Sequence, residues 1–365
     1  MDLPQMEPLY GEAEKKAVSE YLNSGAWLME HNKTEELEKI MCDITGAKFC
    51  SMVPNGTLSL CAALKAMGVK PGDRVAVPDY TIIATATAAS FIGAKPLFVD
   101  IEPKTFAMDF KHLKQRITKS TKAIVLVSIN GRPPRDWVEI LDFAQEKDIP
   151  VLEDAAQTLG SYYNIEESKI HLGRLGTAGS FSFSMSKIVT MGAGGAVITD
   201  DEDLYNEIEL MKDFGRIKGG RDVNIYPGID LKYNDLQAVI GIEALKRIDW
   251  RVNRKKEIYK MYRDSLKDIV KFVDTDLKYT APWMHDIILR NEREREYLSK
   301  YLNEKGIGTR NFYPAIHSQK PFYCSDTRFH VSSEVSKKGL WLPSSLKLTN
   351  GQIKYVCEHV RKALV

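Results

Sequence analysis

Between residues 50 and 200, short apolar runs alternate with longer stretches whose apolar positions recur at helical spacing. Arg74-Val75-Ala76-Val77, Pro96-Leu97-Phe98-Val99, Ala123-Ile124-Val125-Leu126-Val127 and Ile149-Pro150-Val151-Leu152 read as strands, and residues 58–67 and 137–146 as helices. Strand and helix in alternation predict a largely parallel sheet covered by helices. Beyond Asp200 the pattern changes: 203–212 reads as a helix, residues 215–228 are rich in glycine, and one long helix runs from about 234 into the 260s. Residues 284–289 then read as a strand. Asn291 is placed to cap a charged helix that ends at Gly306, and 352–364 reads as a final helix. The expected division is a large α/β domain over 1–245 and a smaller α+β domain over 246–365.

Composition narrows the function. The chain has 365 residues, 44% hydrophobic and 27% charged, enough apolar material for a large core. Lys+Arg is 51 against Asp+Glu 49, so no global field attracts a polyanion and nucleic acid is not an expected partner. Eight Lys and Arg between 246 and 263 read as a solvated helix face, with a nucleotide pyrophosphate or nucleic acid as the sharper alternative. The five cysteines are scattered, with neither a C-x-x-C pair nor zinc-finger spacing, so reduced thiols and no metal are expected. The first residues lack the basic and apolar regions of a signal peptide, and no run of about 18 apolar residues occurs, so the expected location is the cytoplasm, away from membranes.

Three segments carry candidate chemistry. Val53-Pro54-Asn55-Gly56-Thr57 opens an amphipathic helix, where free backbone N–H groups and the positive dipole end suit a phosphate; the same turn is also an ordinary N-cap. In Val151-Leu152-Glu153-Asp154-Ala155-Ala156-Gln157, two carboxylates at the end of an apolar strand point to opposite faces, and the C-terminal edge of a parallel sheet is where α/β proteins bind ligands. A cap for a following helix is the other reading of that acid. Gly179-Ser180-Phe181-Ser182-Phe183-Ser184-Met185-Ser186-Lys187 puts three serines on one strand face and two phenylalanines on the other, then delivers a lysine ahead of Gly192-Ala193-Gly194-Gly195. Most lysines lie on the surface. This one follows a strand with a polar face and sits beside a loop stripped of side chains.

In order and spacing these segments resemble the DegT/DnrJ/EryC1/StrS family of fold-type I pyridoxal 5′-phosphate (PLP) enzymes, best known for sugar-nucleotide aminotransferases. The likeness extends through Gly72-Asp73-Arg74-Val75, Gly93-Ala94-Lys95-Pro96, Asp235-Leu236-Gln237-Ala238 and Thr309-Arg310-Asn311-Phe312-Tyr313-Pro314-Ala315-Ile316-His317. It implies a mostly parallel seven-stranded sheet flanked by helices, an N-terminal arm and a smaller C-terminal α+β domain. By the resemblance, Lys187 forms the Schiff base with PLP, Asp154 pairs with the pyridinium nitrogen and keeps the ring an electron sink, and Gln157 lies by the phenolic oxygen. Gly56, Thr57 and Ser182 match the phosphate ligands, and Trp283, Arg310 and His317 the substrate side, where a core tryptophan and a surface histidine are equally open readings.

The resemblance further implies that L-glutamate donates the amino group to a keto sugar, a nucleotide-linked 3- or 4-keto-6-deoxy sugar of surface-polysaccharide or related glycan synthesis. A small phosphorylated ketone or a cyclitol is the alternative acceptor. It also implies a homodimer with shared active sites, residues 216–234 reaching across. Three positions depart from the pattern: Ile82 stands where an aromatic stacks on the ring, Ala193 replaces a glutamate, and Asp230 falls where the partner sends an asparagine to the phosphate, leaving Lys232 to take that place. These changes motivate a second reading, a sensor that has kept the fold. Lys187 favours amino transfer over dehydration, since dehydratase relatives carry histidine there.

Overall fold

The computed structural model describes residues 2–166, 168–217, 222–325 and 327–365. Its centre is a seven-stranded sheet built from β1 (Phe49–Val53), β2 (Arg74–Pro78), β3 (Lys95–Val99), β4 (Thr121–Val127), β5 (Val151–Asp154), and, after the small antiparallel pair β6 (Tyr162–Ile165) and β7 (Ser168–His171), β8 (Ala178–Ser182) and β9 (Gly195–Thr199). The strand order is β1-β9-β8-β5-β4-β2-β3, and only β9 runs against the others. The apolar runs of the sequence are therefore strands covered on both faces. Along β4 the side chains divide by parity: Ala123, Val125 and Val127 join one core, Ile124 and Leu126 another.

Helices α1 (Glu12–Asn23), α2 (Asn32–Thr45), α3 (Gly56–Ala66), α4 (Ala84–Phe91), α5 (Phe110–Arg116), α6 (Trp137–Glu146), α7 (Glu202–Lys212) and α8 (Asp235–Leu245) surround this sheet. Ile140 and Ala144 of α6 cover Ile124 and Leu126, whereas Leu60 to Leu64 of α3 and Ala86 to Ala89 of α4 cover the opposite face. Leu37 and Met41 of α2 pack with Ala238 and Ile242 of α8 on the β1–β9 end.

The expected single helix from 234 into the 260s is two helices, α8 and α9 (Ile248–Leu266), because Arg247 leaves helical geometry at φ −113°, ψ 20°. Nor is the basic stretch of α9 only a solvated face. Arg251 is buried, donating to the carbonyl of Ile188 and to Glu14, and Lys255 is buried with its ammonium on the carbonyls of Trp283 and Ser344. With no carboxylate beside it, burial pushes the Lys255 amine down to about 7.

The C-terminal part carries a four-stranded antiparallel sheet, β10 (Lys271–Phe272), β11 (His285–Ile288), β12 (Arg310–Asn311) and β13 (Gly339–Leu342), in the order β10-β11-β13-β12. Helices α10 (Glu292–Glu304), α11 (His330–Lys338) and α12 (Asn350–Leu364) flank it. Asn291 caps α10 as its position predicts, its Oδ1 accepting the N–H of Glu294 at 3.0 Å. Ile287, Leu340 and Leu342 face a core shared with α9, α10 and α12. Asp286 and Trp341, alternate residues of the same strands, face the large sheet. No helix among the described residues is long and apolar enough to cross a membrane, and none of their His, Cys, Asp and Glu cluster as a metal site. All five cysteines are free thiols.

Candidate active site

Four neighbouring strands deliver the site at their carboxyl ends. The chain leaving β2 carries Asp79 and Tyr80, that leaving β4 carries Asn130 and Arg132, β5 ends in Asp154 with Gln157 just beyond, and β8 ends in Ser182 and leads to Lys187. This is the edge at which parallel sheets bind ligands.

The two carboxylates of β5 part company as strand alternation requires. Glu153 turns into the protein, where Tyr163 Oη–H and the N–H groups of Gly173, Leu175 and Gly176 donate to it. Asp154 turns to the cleft. No helix follows it, so it is not a helix cap: Thr85 Oγ1–H donates to its Oδ2 at 2.8 Å and the Ala156 N–H to its Oδ1 at 3.2 Å. Burial pushes the Asp154 carboxyl up, while those donors and the charge of Lys187 pull it back.

The lysine faces this acid. Lys187 Nζ lies 4.1 Å from the centre of the Trp283 ring, a cation–π distance, and the Trp283 indole donates to the Ser186 carbonyl at 2.6 Å, fixing ring and lysine loop together. Burial pushes the Lys187 amine down to about 8; the Asp154 carboxylate opposes that change and the Arg310 guanidinium adds to it. An amine so placed is far readier to be a neutral nucleophile than a surface lysine.

Beside it lies the opening of α3. Asn55 caps the helix, its Oδ1 accepting the Leu58 N–H at 3.0 Å, and Gly56 and Thr57 form the first turn. A Cβ on Gly56 would stand 2.7 Å from Ser182 Cβ, so only glycine lets the free N–H groups of this turn approach the end of β8. Asp154, Gln157, Lys187, Ser182, Gly56 and Thr57 thus converge from β5, β8 and α3. An acid for a ring nitrogen, a free amine for an aldehyde, and a helix start with a hydroxyl for a phosphate fit PLP.

Ile82 sits on the turn that leads into α4, packed against the main core and one helical turn before Thr85, so an aliphatic side chain lies where the ring-stacking aromatic was expected. Arg310 lies at the edge of the small sheet, its guanidinium 5.3 Å from the Tyr313 ring and 5.6 Å from Trp341. His317 stacks on Phe329 with ring centres 4.8 Å apart. Its Nδ1 is 2.6 Å from Asp79 Oδ2, so it is anchored and not a loose surface histidine. Lys232 does not join the cluster within the chain: its ammonium pairs with Asp213 at 2.8 Å, and its N–H donates to Asp230. Ala193 gives its carbonyl to Tyr233 Oη–H at 2.9 Å. Of the stretch 216–234, residues 218–221 lie outside the described residues.

Sequence reasoning missed several participants. Thr85, which steadies Asp154, and Asp79, which pins His317, lie three residues to either side of Ile82, and nothing in their type or spacing sets them apart from ordinary polar residues. Tyr313 is buried, its Oη unpartnered among protein groups and its phenol pushed up to about 12 by burial. Arg132 and Asp286, 2.7 Å apart and both buried, join the two sheets behind the cleft. Replacing Arg132 by methionine strands a buried carboxylate and is expected to lower the unfolding free energy by about 3–5 kcal/mol, whereas the double change Arg132→Met/Asp286→Leu restores most of it. Urea titration measures both; equal losses in the single and double variants would show that the pairing contributes nothing.

Over residues 8–361 the sequence matches the model of the DegT/DnrJ/EryC1/StrS aminotransferase family. The chain belongs to that family. It is 31% identical over 363 residues to the GDP-perosamine synthase of Escherichia coli O157:H7, covering 99% of this chain and 98% of that one. It is 32% identical over 384 aligned positions to the spore coat polysaccharide biosynthesis protein SpsC of Bacillus subtilis, covering 98% and 96%. Among solved structures, the aminotransferase TlmJ of Streptoalloteichus hindustanus superposes with a TM-score of 0.92 at 25% identity, over 99% of this chain and 98% of that chain. Membership makes the chain an aminotransferase, and with it the reading as a fold-retaining sensor loses its ground.

Proposed function

We propose that this enzyme moves the amino group of L-glutamate to the keto group of a nucleotide-linked sugar, a 3- or 4-keto-6-deoxy hexose, with PLP as cofactor. One observation carries the reading: a lysine amine shifted to about 8, held between the Trp283 ring and the charge of Asp154 at the carboxyl edge of the sheet. When bound, PLP supplies the electron sink that makes the Cα proton of an amino acid removable.

The protein's own residues do the rest. Asp154 would hold a proton on the ring nitrogen, the N–H groups of Gly56 and Thr57 with the Ser182 hydroxyl would hold the phosphate, and Gln157 would serve the phenolic oxygen. Lys187 would hold the cofactor through its amine and, when that amine is free, would be the group placed to carry a proton at the reacting carbon. Trp283, Arg310 and His317 bound the substrate side, where Arg310 offers a planar cation to a carboxylate or phosphate. The GDP-perosamine synthase likeness supports the nucleotide-sugar acceptor, and the SpsC likeness a role in surface-polysaccharide synthesis.

We further infer two domains, 1–245 and 246–365, a cytoplasmic location and a homodimer. Trp27, Leu28 and Met29 are exposed, as are Phe214, Ile225 and Ile229, and the bridges Met29 to Asn234 and Asp213 to Asp230 bring these segments side by side. Single exposed apolar residues are ordinary; a contiguous set of large ones marks an interface. In such a dimer Lys232 would exchange Asp213 for the partner's phosphate site. Incubation with glutamate and a panel of nucleotide-linked 3-keto and 4-keto sugars, read by product mass and by the particle mass in solution, tests the reading. The expected result is one aminated sugar from a particle of twice the chain mass. Amination only of phosphorylated ketones or cyclitols would overturn the choice of acceptor.

A further inference from the structure

Asn130 is buried and stands in the left-handed region, φ 57°, ψ 30°, which asparagine tolerates better than most residues. All three of its hydrogen-bonding groups that face inward are engaged. Its backbone N–H donates to Gln157 Oε1 at 2.7 Å; its Nδ2 donates to the Met284 carbonyl at 2.7 Å; its Oδ1 accepts the Met284 N–H at 2.6 Å. One side chain thus closes a two-way bond on the backbone of a residue 154 positions away, next to Trp283. Gly131 presses the same contact: its φ is 77°, and a Cβ there would lie 2.5 Å from the Ala281 carbonyl.

The consequence falls on Gln157. A backbone N–H can only donate, so the amide atom facing it must be oxygen, and the amide nitrogen must point the other way. Among the described residues no protein group accepts from that nitrogen. We propose that Asn130 is a positioning residue: clasped to Met284, it holds its own N–H on Gln157 Oε1 and so aims Gln157 Nε2–H at the phenolic oxygen of the cofactor. This rests on the reading above that the ring's phenolic oxygen lies beside Gln157. Glutamine left free could turn either end of its amide to the cleft, and an oxygen there would repel the phenolate instead of donating to it. Asn130 therefore couples the placement of the C-terminal part, through Met284, to the ionisation of the ring.

The test is the pH titration of the visible absorption band of the PLP-loaded protein, a readout that a loss of turnover alone does not move. An N–H donated to the phenolic oxygen stabilises its ionised form and lowers the midpoint. Gln157→Leu is expected to raise the midpoint by about half to one pH unit, the size of one hydrogen bond. Asn130→Gly keeps the left-handed backbone but frees Met284, and is expected to reproduce at least half of that rise. The double variant should add nothing to Gln157→Leu, because both changes remove the same interaction.

A Gln157→Leu rise without an Asn130→Gly rise would overturn the role of Asn130 and leave the cofactor pose standing. No rise in either variant would overturn the pose, and the inference with it. If Asn130→Gly does not fold, Asn130→Asp serves: it tolerates the same backbone conformation, loses the bond to the Met284 carbonyl, and should shift the midpoint in the same direction. An unmoved midpoint in that variant is equally fatal.

Discussion

Lys187→Ala is expected to abolish amino transfer, lowering kcat by more than about 10⁴-fold, the upper end of what one proton-moving side chain contributes. In the proposed mechanism two duties fall on this amine, holding the cofactor and carrying the proton, and alanine would perform neither. The protein should still fold, since no hydrogen bond from the Lys187 side chain holds an element in place among the described residues, and Trp283 keeps its bond to the Ser186 carbonyl. The variant should also fail to develop the visible band on mixing with PLP, while the wild-type apo-protein gains it at a rate that rises with pH and is half-maximal near pH 8. That direction follows from the amine being shifted down to about 8: below this value it is ammonium and unreactive, above it neutral. Stopped-flow absorbance across pH 6–10 reads the profile, and turnover of glutamate with a keto sugar by Lys187→Ala would end the assignment.

Asp154→Asn is the second large effect, a fall of about 10²–10³-fold in kcat, in the range seen when one preorganised electrostatic partner is removed. Asparagine has nearly the same shape and can keep the contact with Thr85 Oγ1, so the fold should survive. It would carry no charge to hold a proton on the ring nitrogen, the role proposed for Asp154, and so would weaken the electron sink. PLP affinity should fall much less than kcat, because the proposed phosphate ligands, the start of α3 and Ser182, are untouched. Single-turnover kinetics with glutamate separates the two quantities. A variant that bound PLP poorly but turned over at the normal rate once saturated would show that Asp154 serves binding alone.

Much of this was legible in the residues themselves. Strands buried on both faces must be apolar through their covered middles, so the centres of β2, β3 and β4 and the start of β5 announce themselves as short apolar runs. Lys187 was legible for the opposite reason: a lysine after a strand of alternating serine and phenylalanine, before three glycines, breaks the habits of a surface residue. The hairpin of β6 and β7 was not, since its strands are short and half polar and look like loop. The break between α8 and α9 carries neither glycine nor proline to mark it. Arg251 and Lys255 read as solvated because their partners, Glu14 and the carbonyls of Trp283 and Ser344, lie far away in the chain. Within the chain the Lys232 ammonium pairs with Asp213, nineteen residues earlier, a contact that its spacing did not announce. Sequence spacing reveals what one element does alone and hides what two distant elements do to each other.

The face that the four-stranded sheet turns toward the seven-stranded one has a practical meaning for anyone dissecting the enzyme. Trp283, Trp341 and Phe312 lie on it, and Asp286 finds its counter-charge only across the boundary. Severed and expressed by itself, the C-terminal portion would present a greasy, negatively spotted surface to water, and would be more prone to clump than the intact polypeptide, in which that face is covered.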